Sequence, residues 1–183
     1  AVRTSSRKTT CEFTSRTRAG HAEKFAWRVL VPVVRQLWNV CVGPGRVSLM
    51  TDRIRFGAGF DFVRGGKLPG LCGGSCNSGG NVPDGTDGWS ARMMWRAEGR
   101  AVQYMYYAAQ VGQFGDDFDW DLGGQRHFAP GQWHTVQTRI VMNGPDAADG
   151  QVQSWFDGEL AVERDDVGFR TVDGFAIDTL YFS

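Results

Sequence analysis

Three short stretches carry side chains able to do acid–base chemistry. "GGKLPGLCGG", residues 65–74, sets Lys67 among glycines; "WSARMMWR", residues 89–96, holds Ser90 and Arg92; "YMYY", residues 104–107, holds Tyr104 and Tyr106. Glycine loses more backbone freedom on folding than any other residue, so glycines around one cation mark close backbone approach or a deliberately bare surface. Cations beside phenols suit one reaction in particular. Eliminating a 4-linked sugar from a uronic acid requires removal of the proton next to the carboxylate, and the enolate-like charge that forms must be stabilised. Lys67 and Arg92 would neutralise that carboxylate, the electrostatic contribution expected to dominate the barrier. A tyrosine would take the proton and return one to the leaving oxygen. Its ordinary pKa of about 10 is too high for a base at neutral pH, so the cations must lower it. This chemistry calls for no metal and no other cofactor.

Those residues must be brought to one surface, and the segment 89–107 predicts how. Two aromatic-rich strands flank "AEG", with Gly99 at the third loop position, where a type I turn followed by a left-handed residue closes a three-residue hairpin. Arg96 then faces Arg100, Arg92 faces Tyr104 and Ser90 faces Tyr106. Alternation gathers Ser90, Arg92, Tyr104 and Tyr106 on one face and Trp89, Ala91, Met93, Trp95, Gln103, Met105 and Tyr107 on the other. One face is a polar plate; the other reads as core.

From "RIRFGAGFDF" onward the chain continues in short alternating segments separated by Gly, Pro, Asp and Asn, as in a sandwich. The expected strands are 53–62, 89–96, 100–108, 133–142, 151–156, 159–163 and 175–182. Asp157-Gly158 signals a two-residue hairpin. In residues 1–50 only "AEKFAWRVLVPVVRQLW" is organised, as a helix or a buried strand broken at Pro32.

At these residues the sequence resembles the alginate-lyase-like polysaccharide lyases of family 14 and the related glucuronan lyases of family 20. The likeness lies in "FDFVRGGKLPGL", a Gly/Cys-rich loop, "SARMMWR" and "YMYY", with "GQWHTVQTRIVMN" and "WFDGELAV" as later strands. It runs from about residue 53 to the end, leaving 1–52 atypical within a single domain of residues 1–183. It implies an all-β jelly-roll sandwich of two antiparallel sheets with a concave cleft, cleaving alginate or glucuronan by β-elimination. In that family a lysine, a Ser-x-Arg pair and a Tyr-x-Tyr pair line the cleft. This carries over to Lys67, Arg92, Tyr104 and Tyr106 as catalytic and Ser90 as substrate-binding, with base and acid not assigned between the tyrosines.

Composition agrees with one β-rich domain: 183 residues, 42% hydrophobic, with 25 glycines, seven tryptophans and twelve phenylalanines. No apolar run is long enough to span a membrane. Formal net charge is zero, yet ten basic and three acidic residues precede the cut after Arg53, and ten basic and seventeen acidic follow it. Such a basic half can bind nucleic acid or an anionic polymer. The arginines are not interleaved with stacking aromatics, so a solvated basic segment is expected and no nucleic-acid partner. The partner expected is an acidic polysaccharide, bound by a monomer with no membrane attachment. Cys11, Cys41, Cys72 and Cys76 lack zinc-site spacing. Of three possible disulfide pairings, Cys72–Cys76 with Cys11–Cys41 is preferred because the first pair shares a loop, which implies an oxidising, extracellular compartment. Residue 1 opens no signal-peptide pattern, as in a mature chain.

Other candidates compete. "GGK" is not a phosphate loop, since Asp61 and Leu68 stand where Gly and Ser or Thr belong; HExxH and GxSxG are absent. His134 alternates in phase with Val136, Thr138, Ile140 and Met142, as a satisfied, partly buried histidine would; a proton-transfer role for it or for His127 is secondary. Asp117, Asp119 and Asp121 would share one side of an extended strand and could serve glycoside hydrolysis or hold calcium. A solvated acidic loop at a rim is the expectation, because carboxylates would repel a polyanion. The competing functions are a glycoside hydrolase using those aspartates and a non-catalytic carbohydrate-binding jelly roll, in which Trp120 and Trp133 stack on sugar rings.

Overall fold

Strand β3 (Val47–Phe56) shows how pattern becomes structure: Ser48, Met50, Asp52, Ile54 and Phe56 are buried, while the residues between them face outward. That period of two makes one side of each strand core. In the computed structural model the backbone is described for residues 28–31, 34–41 and 45–182 and the side chains for 45–182. The other strands are β1 (Arg28–Val31), β2 (Val34–Cys41), β4 (Gly65–Gly74), β5 (Gly88–Arg96), β6 (Ala101–Tyr106), β7 (Asp116–Asp119), β8 (Trp133–Val141), β9 (Gly150–Phe156), β10 (Glu159–Val167) and β11 (Thr179–Tyr181). They form a six-stranded sheet ordered β1-β2-β3-β8-β9-β10 and a five-stranded sheet ordered β11-β4-β5-β6-β7. Every pairing is antiparallel.

The inner faces meet in one core, with Met50, Ile54, Val136, Ile140 and Val152 from the larger sheet and Leu71, Trp89, Ala91, Met93 and Met105 from the smaller. Phe56, Phe60, Phe62, Trp95 and Phe128 close one end as a cluster of tilted and edge-on rings, the geometry aromatic quadrupoles favour. One polar link crosses the interior: Thr138 and Ser154 both donate to the Gln103 side-chain carbonyl, each at 3.1 Å.

The jelly-roll architecture and most of the strands are as expected from sequence; several boundaries are not. The strand expected over 53–62 begins at Val47 and ends at Phe56, because Gly57 starts a turn closed by the Phe60 amide. The glycine-rich stretch 65–74 is strand β4, and residues 116–119 form edge strand β7 rather than a loop. Within 22–38, the described backbone at 28–31 and 34–38 is strand, the second of the two expected alternatives. Asp157 and Gly158, with φ of 52° and 90°, form the expected two-residue turn. Cys72 and Cys76 are disulfide-bonded; the Cys11–Cys41 pairing lies outside the described side chains. Trp120 is wholly buried, so it offers no ring to a sugar.

Candidate active site

The hairpin β5–β6 sets the site. Ser90 pairs with Tyr106 and Arg92 with Tyr104, the register expected from the loop. The turn itself differs: Glu98 and Gly99 both have positive φ (59° and 77°), and Arg100 donates to the Ala97 carbonyl at 3.2 Å, a type I′ turn in place of type I plus one left-handed residue.

On the other side of β5, Lys67 pairs with Met94 and Gly70 with Arg92, so β4 carries one extra residue between them. That bulge turns Leu68 into the core and leaves Lys67 on the outer face with Met94, Arg92 and Tyr104. A Cβ on Gly66 would lie 2.2 Å from the Trp95 ring, and one on Gly70 2.0 Å from the Ala91 carbonyl oxygen. The glycines thus let β4 lie against β5 where a side chain would collide. Lys67 is exposed, and among the described residues it makes no hydrogen bond or ion pair.

Two loops close over the phenols. The Gly80 amide donates to the Tyr106 hydroxyl at 3.0 Å and the Gly115 amide to the Tyr104 hydroxyl at 3.1 Å. The two phenol oxygens are 3.5 Å apart. Burial pushes the Tyr104 phenol up to about 12, aided by its hydrogen bond with Tyr106 and against the Gly115 amide and the Arg96 charge. Burial also pushes Tyr106 up, but the hydrogen bond from Tyr104, the amides of Gly80 and Gly115 and the Arg92 charge outweigh it, leaving Tyr106 below its ordinary value. The pair is therefore polarised, with Tyr104 the proton holder and Tyr106 the readier phenolate.

Arg92 and Ser90 do not stand where direct substrate contact needs them. Both are fully buried, and so is Tyr106 beside them, whereas Tyr104 is half-buried. The Arg92 guanidinium lies 4.9 Å from the Tyr181 ring and 5.7 Å from the Tyr104 ring, and burial pulls it below its ordinary pKa while the surrounding phenols partly restore it. An arginine stays charged even so. Ser90 donates to the Asn77 carbonyl at 2.6 Å and so holds the covering loop. Asn77, also buried, accepts from Ser75 at 2.7 Å and donates to Asp87 at 2.7 Å.

The acidic strand sits at the rim, as expected, but paired. Arg96, itself 5.2 Å from the Tyr104 ring, donates to Asp117 at 2.8 Å, a bond that raises its pKa. Arg100 pairs with Asp119, and Asp121 is exposed beyond the strand. His127 faces the Glu98 carbonyl at 3.1 Å. His134 is buried on the other sheet, accepting from the Ala129 amide at 3.0 Å and facing Asp157 at 2.8 Å, the satisfied histidine its phase implied. Among the described residues no cluster of His, Cys, Asp and Glu suits a metal ion. Asn77, Gly80, Gly115, Arg96 and Tyr181 were not singled out in the sequence: the amides act through backbone, which leaves no side-chain signature. Arg96 and Tyr181 did carry a signal, their place on the same strand faces as Arg92.

Fold and site together define a β-sandwich lyase scaffold. The chain matches the Polysaccharide lyase 14 family over residues 44–183, nine residues earlier than the motifs alone suggested, and belongs to that family. Among solved structures it is similar to the alginate lyase Aly36B, in a variant with a lysine and a tyrosine changed to alanine and bound to an alginate tetrasaccharide: 25% identity, TM-score 0.64, covering 80% of this chain and 65% of that one. It is also similar to the marine PL-14 alginate lyase from Aplysia kurodai, at 19% identity and TM-score 0.64, covering 81% of this chain and 72% of that one. The alginate lyase vAL-1 from Chlorella virus shares the fold at 17% identity and TM-score 0.59, covering 86% and 78%. No curated protein matches the chain.

Proposed function

We propose that this protein cleaves a uronic-acid polymer, alginate or glucuronan, by β-elimination. The observation that carries the reading is the polarised phenol pair beside an unengaged lysine on one sheet face, in a member of this family. Lys67 meets the uronate carboxylate, and its charge offsets the enolate-like charge of the transition state. Tyr104, the half-buried phenol, takes the proton from C5 while passing its own to the Tyr106 phenolate 3.5 Å away. The C5–H electrons form the C4–C5 double bond, the C4–O4 bond breaks, and Tyr104 gives its proton to O4. Proton transfer across the contact between the phenols then resets the pair. Arg92, from below the surface, adds its charge to the hydrogen bonds from Tyr104, Gly80 and Gly115 that hold Tyr106 acidic. The lysine and tyrosine changed in the Aly36B variant are the same two residue types.

Asp117 and Asp119 are engaged by Arg96 and Arg100, which weighs against a hydrolase using them. The Cys72–Cys76 disulfide supports work in an oxidising, extracellular setting. The test is incubation with polymannuronate, polyguluronate and glucuronan, followed by far-ultraviolet absorbance of the unsaturated uronate. One of the three should give that signal, and Lys67→Ala should lose roughly 10²–10³ of it. New reducing ends without the absorbance would instead mean hydrolysis.

A further inference from the structure

The elimination chemistry uses the outer face of the five-stranded sheet and leaves that of the six-stranded sheet without a role. On β3, β8 and β9 that face carries Arg53, Arg55 and Arg139, and no outward position of the three strands holds a carboxylate. Five other arginines, Arg96, Arg100, Arg126, Arg164 and Arg170, each lie against an aspartate or glutamate, whereas Arg46 donates to the Asn143 carbonyl. The three on this face have neutral partners only among the described residues. Arg53 lies 5.3 Å from the Trp133 ring, Arg55 donates to the Gly131 carbonyl at 3.0 Å, and Arg139 donates to the side chains of Gln151 and Gln153 at 3.1 and 2.9 Å.

This arrangement fixes long side chains in place while leaving their charge uncompensated. Ordering such side chains is a cost that binding normally meets, and here folding has already met much of it. Arg53 and Arg55 are alternate residues of one strand, about 7 Å apart along it, so they repel unless an anion lies between or above them. Trp133, 37% exposed beside them, offers a ring face of the kind that covers the C–H face of a sugar. The Gln151 amide beside Arg139 matches sugar hydroxyls, while the Gln153 amide donates to Glu163 at 2.6 Å, which sets an acidic limit to the surface on β10.

We propose that the outer face of the six-stranded sheet, centred on Arg53, Arg55, Arg139 and Trp133, is a second binding surface for an acidic polysaccharide, one that holds the polymer without cleaving it. The ligand class rests on the uronate reading of the opposite face; the existence of the surface does not.

The test is salt elution from immobilised polymannuronate and polyguluronate, alongside a DNA matrix. The Arg53→Gln/Arg55→Gln/Arg139→Gln variant should bind about tenfold more weakly than the unaltered protein, as loss of three charge contacts at a sheet surface implies. Its elution should also depend less on salt. Replacing all three arginines by lysine should restore retention, and turnover of short uronate oligosaccharides should not change in either variant. Equal retention of the glutamine variant and the unaltered protein would overturn the proposal, as would equal or tighter retention on DNA. Should the glutamine variant fail to fold, Trp133→Ala serves in its place, and undiminished retention would again count against the surface. Retention requires no cleavage, so a failure of the lyase reading would show separately, as absence of unsaturated product from every polymer.

Discussion

Two phenols within hydrogen-bonding reach compete for one proton, and the surroundings of Tyr104 and Tyr106 decide the competition. The hydrogen bond from Tyr104, the Gly80 amide and, to a smaller degree, the Arg92 charge favour the phenolate of Tyr106, while burial and the bond to Tyr106 hold the Tyr104 proton up to about 12. Tyr106 must be deprotonated and Tyr104 protonated. Activity should therefore be present above the lowered pKa of Tyr106, fade as pH falls through it, and fade again as pH rises through about 12. Arg92→Met removes a charge that lowers Tyr106, so the rising limb of the kcat profile should move to higher pH, with much of the rate recovered there. A limb that stays in place would mean that Arg92 does not act on Tyr106. Tyr106→Phe should lower kcat by roughly 10²–10⁴ at every pH. His134→Ala, on the opposite sheet, should leave the profile unchanged.

At the scale of elements, the loop joining β4 to β5 does more than connect. Asn77 stands at its centre with three bonds, to Ser75, Asp87 and Ser90, and the disulfide ties Cys76 to β4. Through that post the Gly80 amide reaches Tyr106. Asn77→Ala should weaken this donor and shift the rising limb upward, as in Arg92→Met, while raising KM little; loss of kcat without a pH shift would reduce Asn77 to a purely structural role. Reduction of Cys72–Cys76 should act in the same direction, since opening so short a loop forfeits about 2 kcal/mol of chain entropy at most. These elements were unequally legible. The β5–β6 register followed from loop length and alternation, because one face of that hairpin is core and a one-residue slip would invert it. Strand β4 was hidden because its glycines signal turns when read alone, whereas here they admit Trp95 and the β5 backbone. The type I′ turn was missed because it requires Glu98, a non-glycine residue, at positive φ. Lys67 was legible as a cation awaiting a partner, but the burial of Ser90 and Arg92 was not: the β4–β5 loop folds back over Ser90, and Tyr181 from the far end of the chain lies against Arg92.

For the molecule as a whole, catalysis depends on how firmly two sheets hold each other, because the phenols stand on the outer side of a strand whose inner side is core. Gln103 lies between Tyr104 and the interior, and its carbonyl accepts from Thr138 on β8 and Ser154 on β9. Gln103→Ala would leave two buried hydroxyls without that acceptor and open a cavity between the sheets. The combined cost is about 2–4 kcal/mol, or a fall in Tm of roughly 4–16 °C for a domain of this size. Thr138→Val removes one donor while keeping the shape, so it should cost only about 1 kcal/mol. If the link positions β6 as well as stabilising it, Gln103→Ala measured well below its Tm should show lower kcat with KM nearly unchanged, because Tyr104 and Tyr106 would lose their alignment before the exposed Lys67 lost its hold on substrate. An unchanged kcat at such temperatures, with only Tm reduced, would show that the sheet itself positions the phenols and that the buried link contributes to stability alone.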